Sequence, residues 1–301
     1  MSDRLTSGAG PRPAGGLPFA LFLAGWAFLF GCDLLIWFRF GLESSLYSYT
    51  LLIPCISLYL LRDKRLRQIR AQAPAWGGHG LIVAGTVCAA LALGGWGRWD
   101  AGGDLNRFRL VVMVVALVGG LVLWWGFKGW RARMFPALFL FFMIPLPPGW
   151  EHALSMLLQR ASGWLAYYLI RGTGTPIVRE GPFLILPDLL LEVAEECSGI
   201  RSTLVLVITS ALAAYLFLQR FPIRAAFVAV VLPLGIFRNA FRILVISLLT
   251  IYVDPEVIRG PLHRRGGPLF FGLSLLVLMA WGLFLRRWER RSAKDNDRSY
   301  A

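Results

Sequence analysis

An all-α, polytopic membrane helical bundle is the fold class this sequence predicts, and three observations predict it. Hydrophobic residues fill 57% of 301 positions and charged residues only 16%, more apolar surface than a water-soluble chain of this length could hide. Apolar runs that reach or nearly reach bilayer-spanning length recur eight times. Basic residues stand in short clusters between those runs, the arrangement of membrane orientation signals.

The runs lie at about 17–38, 46–61, 79–96, 108–126, 135–149, 202–218, 225–251 and 268–285, giving about eight transmembrane helices. The second and fifth fall short of the roughly 20 residues a helical crossing needs and must borrow flanking Tyr, Trp and Leu. Residues 1–16 are polar and rich in Gly and Pro, and are expected to form a disordered cytoplasmic N-terminus. No small-residue cleavage site follows the first run, so it is read as a retained helix and not a signal peptide. Residues 17–285 form the transmembrane domain and 286–301 a basic cytoplasmic tail.

Orientation follows from Lys and Arg. With the N-terminus inside, the inner segments hold 18 basic residues, among them those of Arg62–Arg70, Lys128–Arg133, Arg220, Arg224 and the tail from Arg286. The outer segments hold 10, offset by 11 acidic residues such as Glu43, Asp100, Glu195 and Glu196. Both termini are therefore expected in the cytoplasm. The same distribution absorbs the net charge of +14, and no basic groove segment with interleaved aromatics lies outside the apolar spans, so nucleic acid is not an expected partner. Membrane lipid is.

The longest outer segment runs from Trp150 to Arg201. In its first part Leu154, Leu157, Leu158, Ala161, Leu165, Tyr168 and Leu169 recur at helical spacing, with Arg160 and Ser162 off that face, which predicts an amphipathic helix at the outer surface. Gly172, Gly174 and Pro176 end it, and Phe183 to Val193 fits a small hairpin around Pro187-Asp188. Of four cysteines, at 32, 55, 88 and 197, only Cys197 lies outside the middle of an apolar run, so no disulfide framework is expected.

Three places carry chemistry. Cys197, in Glu195-Glu196-Cys197-Ser198-Gly199-Ile200-Arg201-Ser202, sits where the outer loop meets the sixth span, and a helix N-terminus or nearby positive charge there favours a thiolate. Gly199 would let a substrate backbone come close. The ordinary alternative is a small buried Cys at a helix start. Arg238-Asn239-Ala240-Phe241-Arg242-Ile243 lies inside the apolar seventh run, where each arginine costs at least about 2.5 kcal/mol and needs a partner or a job. The two arginines are one turn apart and share a face. Counting back from Ile251 puts Arg242 about 14 Å below the outer end, with Pro233 and Gly235 as candidate helix breakers beneath it. Asp33, the lone carboxylate of the first span, is a possible structural partner for Arg238. In the last outer loop, Leu262-His263-Arg264-Arg265-Gly266-Gly267-Pro268 offers a histidine on the same side as Cys197, with His152 as its outward-facing rival.

These residues resemble the exosortase and archaeosortase family of membrane proteases and transpeptidases. The likeness rests on Cys197-Ser198-Gly199-Ile200-Arg201-Ser202, on Asn239-Ala240-Phe241-Arg242-Ile243, and on His263 followed four residues later by Gly267. Ile53-Pro54, Phe141 with Met143-Ile144-Pro145-Leu146-Pro147, and Gly174-Thr175-Pro176-Ile177-Val178-Arg179-Glu180-Gly181 extend it over roughly residues 17 to 285. Glu196, where the family usually has a small residue, departs from the pattern and places negative charge against a thiolate. The resemblance implies Cys197 as nucleophile, His263 as acid and base and Arg242 as oxyanion stabiliser, with Ser198, Gly199, Arg201, Arg238, Asn239 and Gly267 as supporting or substrate-binding positions. It implies no cofactor and no metal. It also implies a bacterial cytoplasmic membrane, an active site toward the outer face, and exported proteins as partners, each bearing a C-terminal motif, transmembrane helix and basic cluster. A transporter or carrier that binds an anionic substrate through Arg238 and Arg242 is the competing reading, and in it Cys197 is dispensable.

Overall fold

The computed structural model describes residues 16–62, 104–187, 189–193, 199–255 and 266–299. The predicted third span at 79–96, the segment 1–15, Cys88, Cys197, Ser198 and His263 lie outside them. The chain divides at Pro145 into two compact units.

In the first unit, α1 spans Gly16–Glu43, a 3-10 turn Ser48–Leu51 leads into α2 at Leu52–Leu61, and α3 spans Asp104–Phe139 before a second 3-10 turn at Leu140–Met143. The 36-residue α3 takes in the fourth predicted span and only the first five residues of the fifth, whose remainder is the second 3-10 turn, a non-helical stretch and the start of the next helix at Pro148. Lys128–Arg133 was expected as an inner loop, but it is helical throughout. The segment carries charge without turn chemistry: Lys, Arg, Ala and Met are good helix formers, and Gly129 alone does not stop a helix. Arg133 stays within α3, donating from Nη1 to the Gly129 carbonyl at 3.2 Å and lying over the Trp125 ring. Buried polar groups tie the unit together. Trp26 Nε1 donates to the Met113 carbonyl at 3.0 Å and Ser57 Oγ to the Pro136 carbonyl at 2.6 Å. Asp33, 1% exposed, receives Arg109 Nε at 2.9 Å and Nη2 at 3.3 Å. The partner of Asp33 is therefore Arg109 and not Arg238, a forked geometry that suits a guanidinium on a carboxylate.

The second unit opens with α4, Pro148–Gly172, its proline at the first helical position, where no N–H is missed. A three-stranded antiparallel sheet follows, in the order β1 (Val178–Glu180), β2 (Phe183–Leu186), β3 (Leu189–Glu192). Strands β2 and β3 pair antiparallel, Leu186 opposite Leu189, while Asp188 lies outside the described residues, and β1 is a third strand that the alternating pattern had not revealed. Then come α5 (Ile200–Phe217), α6 (Phe221–Ala229), α7 (Val231–Tyr252) and α8 (Gly267–Ser299). The break at Val230 separates α6 from α7, whereas Pro233 and Gly235 themselves are helical. Proline acts upstream of itself: Pro233 has no N–H for the carbonyl four residues before it, which is that of Ala229, the last residue of α6.

Helix α4 does not lie by itself at a surface. It runs beside α7 in the same direction, since Ser162 Oγ donates to the Ile236 carbonyl while Ala166 and Ile170 share a buried cluster with Ala240 and Ile243. The face it buries carries Ser155, Leu158, Ser162, Gly163, Ala166 and Ile170. Leu157 and Tyr168, on the apolar stripe that periodicity gives, are exposed, and Ser162, off that stripe, is buried. Helices in lipid gain nothing from hiding leucine, so small residues take the close helix contact and large apolar ones face outward.

Among the described residues, four stretches are long and apolar enough to cross a membrane: Ala20–Glu43, Ile200–Phe217, Phe221–Tyr252 and Gly267–Ser292. A fifth is reached only by counting Gly129–Met143 and Pro148–Gly172 together. An all-α membrane protein is what these helices make, with a small sheet set against α4 and α7.

Candidate active site

The site lies at the start of α5. Gly199 caps that helix at φ +74°, in the left-handed region where side chains are strained. Its carbonyl accepts Thr203 N–H at 3.0 Å, Ser202 Oγ at 2.9 Å and Thr203 Oγ1 at 2.9 Å. From α7, Arg238 Nη2 donates to the same carbonyl and to Thr203 Oγ1, both at 3.3 Å. The helices can approach this closely because Gly235 faces Thr203; a Cβ there would sit 2.8 Å from Thr203 Oγ1. Arg238 is 7% exposed and holds the turn from beneath.

Space is equally tight at Gly199. A Cβ on it would lie 2.9 Å from Arg238 Nη2 and 3.9 Å from Asn239 Cγ. We expect Gly199→Ala to lower stability by about 1–2 kcal/mol through backbone strain and to reduce activity further by displacing the Arg238 clamp. Thermal unfolding and turnover measured on the same sample check this, and a variant unchanged in both contradicts it.

One turn above Arg238, Arg242 joins Asn239, Leu191, Glu192, Val193, Ile243 and Ile246 around a cavity of about 30 Å³. Glu192 and Val193 also line a cleft of about 600 Å³ between α4 and the sheet, with Gln159, Arg160, Trp164 and Arg179 among its walls. Arg179 lies over the Trp164 ring at 4.7 Å, and Gln159 Nε2 donates to the Val193 carbonyl. The cleft and the Arg242 cavity share Glu192 and Val193 as lining residues. It was not read from the sequence, because Trp164 and Arg179 belong to different elements and their spacing carries no period.

Of the expected site residues, Gly199, Arg238, Asn239 and Arg242 come together here. Arg201 is exposed on the first turn of α5. Gly267 opens α8, and among the described residues nothing lies within 4 Å of where its Cβ would be. The start of α8 nevertheless reaches the neighbourhood, since Phe270 packs edge-on against Phe241, the residue before Arg242. His152, the rival histidine, is exposed in the first turn of α4.

With this geometry in view, a comparison with protein families finds the model described as transmembrane exosortase (Exosortase_EpsH), matching residues 37–280. The chain belongs to the transmembrane exosortase family. No curated protein and no solved structure matches it. Exosortase membership carries membrane-embedded processing of sorting signals, and the matched stretch contains the whole site. It also contains the first-unit motif Ile53-Pro54, where Ile53 is buried and Pro54 lies within α2.

Proposed function

We propose that this exosortase is a cysteine peptidase and transpeptidase that cuts the C-terminal sorting signal of exported proteins near the outer face of the cytoplasmic membrane. One observation carries the reading: Arg242 and Asn239 line one small cavity, and Asn239 Cγ lies 3.9 Å from a Cβ built on Gly199. Covalent geometry keeps the Cα atoms of Cys197 and Gly199 within about 7.6 Å. Cys197 gives up its thiol proton to His263, and the sulfur attacks the peptide carbonyl carbon. The carbonyl π pair moves to oxygen, and the resulting oxyanion is held by the Arg242 guanidinium. Collapse re-forms the carbonyl as a thioester on Cys197 and expels the amine, which takes the proton from His263. Water or an acceptor amine then releases the acyl group. The 600 Å³ cleft is of ordinary ligand-site size and gives the segment before the cut a place to lie.

The outer placement of the site rests on the distribution of Lys and Arg along the chain, which assigns the segment from Trp150 to Arg201 to the outer side.

The test is cleavage of a synthetic tail peptide, carrying motif, apolar helix and basic cluster, by protein in lipid nanodiscs. The wild type is expected to yield two fragments. Arg242→Lys is expected to be nearly as inactive as Arg242→Ala, because an ammonium cannot reproduce the planar donor fork. An intact peptide with the wild type, or full activity in both variants, counts against the proposal.

A further inference from the structure

We propose that Asn239 is a second catalytic donor to the oxyanion, a role that rests on the peptidase reading above. Asn239 is 3% exposed, and its Nδ2 has no hydrogen-bond partner among the described residues. A buried amide donor left unpaired is costly, and asparagine is a poor choice for the interior of a helix that leucine would fill better. The amide is therefore held for a partner that arrives with substrate. Its position fits that use. Asn239 stands three residues before Arg242, so both side chains rise on one face of α7 and both line the same cavity.

The cavity selects what can enter. At about 30 Å³ it holds one or two water-sized groups and no more. Leu191, Val193, Ile243 and Ile246 supply apolar walls, and Glu192 is exposed at the side shared with the cleft. A carbonyl oxygen that becomes an oxyanion is the right size and gains from two donors aimed from one face of α7. Gly199 stands close to the same amide side chain, Asn239 Cγ lying 3.9 Å from a Cβ built on Gly199. Arg238 is not the second donor: it does not line the cavity, and although its Nη1 is also buried without a described partner, its Nη2 ties the side chain to the Gly199 carbonyl and Thr203.

The experiment uses full-length protein in nanodiscs and two probes of one peptide sequence. A peptide aldehyde adds the Cys197 sulfur to its carbonyl and mimics the tetrahedral state, whereas a peptide with a reduced, uncleavable bond mimics only the ground state. Asn239→Ala and the volume-matched Asn239→Leu are expected to lose about 100-fold in kcat with little change in KM. Aldehyde affinity falls by a similar factor and reduced-bond peptide affinity stays within threefold. Equal loss of both probes means a structural role and overturns the inference, as does kcat within threefold of wild type in either variant. Failure of the peptidase reading looks different: Cys197→Ala would then keep its cleavage activity whatever Asn239 does.

Discussion

Cys197→Ala is expected to lower cleavage of a tail peptide by at least about 10⁴-fold, with the protein inserted and as abundant as wild type. A nucleophile acts as one unit with its base, so its removal leaves only what binding and oxyanion donors achieve alone. The thiol is asked for covalent chemistry and not for packing, and the Gly199 turn that follows it is secured independently by Ser202, Thr203 and Arg238. Stability should therefore be nearly unchanged, which separates loss of chemistry from loss of fold. Serine at the position leaves at most a trace, since its hydroxyl is a far weaker nucleophile near neutral pH. Retained cutting at the same bond by the alanine variant contradicts the assignment.

His263→Ala and His263→Gln are expected to lose about 10²- to 10⁴-fold, the usual range for a positioned acid and base. His152→Gln keeps most of its activity. His263 belongs to the chain segment between α7, which carries Arg242, and α8, whose Phe270 rests on Phe241. His152 stands exposed in the first turn of α4, and the α4–α7 contacts run from Ser162–Ile236 upward, away from that turn. Purified variants at equal abundance, assayed with one fluorogenic tail peptide, decide between the two. Near-normal turnover without His263 leaves the proton transfers unassigned.

Sequence made the helical membrane character legible because apolar runs and basic clusters are dense and periodic. It also marked Gly199, Arg238, Asn239 and Arg242, since charged and amide side chains stand out in an apolar helix. What it concealed follows from two physical facts. A charged cluster ends a membrane span only if the backbone can turn, and Lys128–Arg133 has the charges without the turn, so α3 continues through it. Periodicity finds an amphipathic face but not which face is buried, and in α4 the protein side is the small-residue side around Ser162 and Ala166. Partner choice is hidden as well. Asp33 could be seen to need a cation, yet only three dimensions show it to be Arg109, leaving Arg238 to brace the turn beside Cys197.

The central claim is that substrate is carried on the Cys197 sulfur, and mass measurement tests it most directly. Wild-type protein mixed with the tail peptide, quenched in acid within a turnover and digested, should show the Cys197 fragment heavier by the N-terminal part of the peptide minus water. Hydroxylamine should remove that mass, because thioesters are labile to it. A peptide that is cut at the expected rate while the Cys197 fragment never gains mass, under conditions where a slow acceptor lets the intermediate accumulate, would contradict covalent catalysis by this thiol.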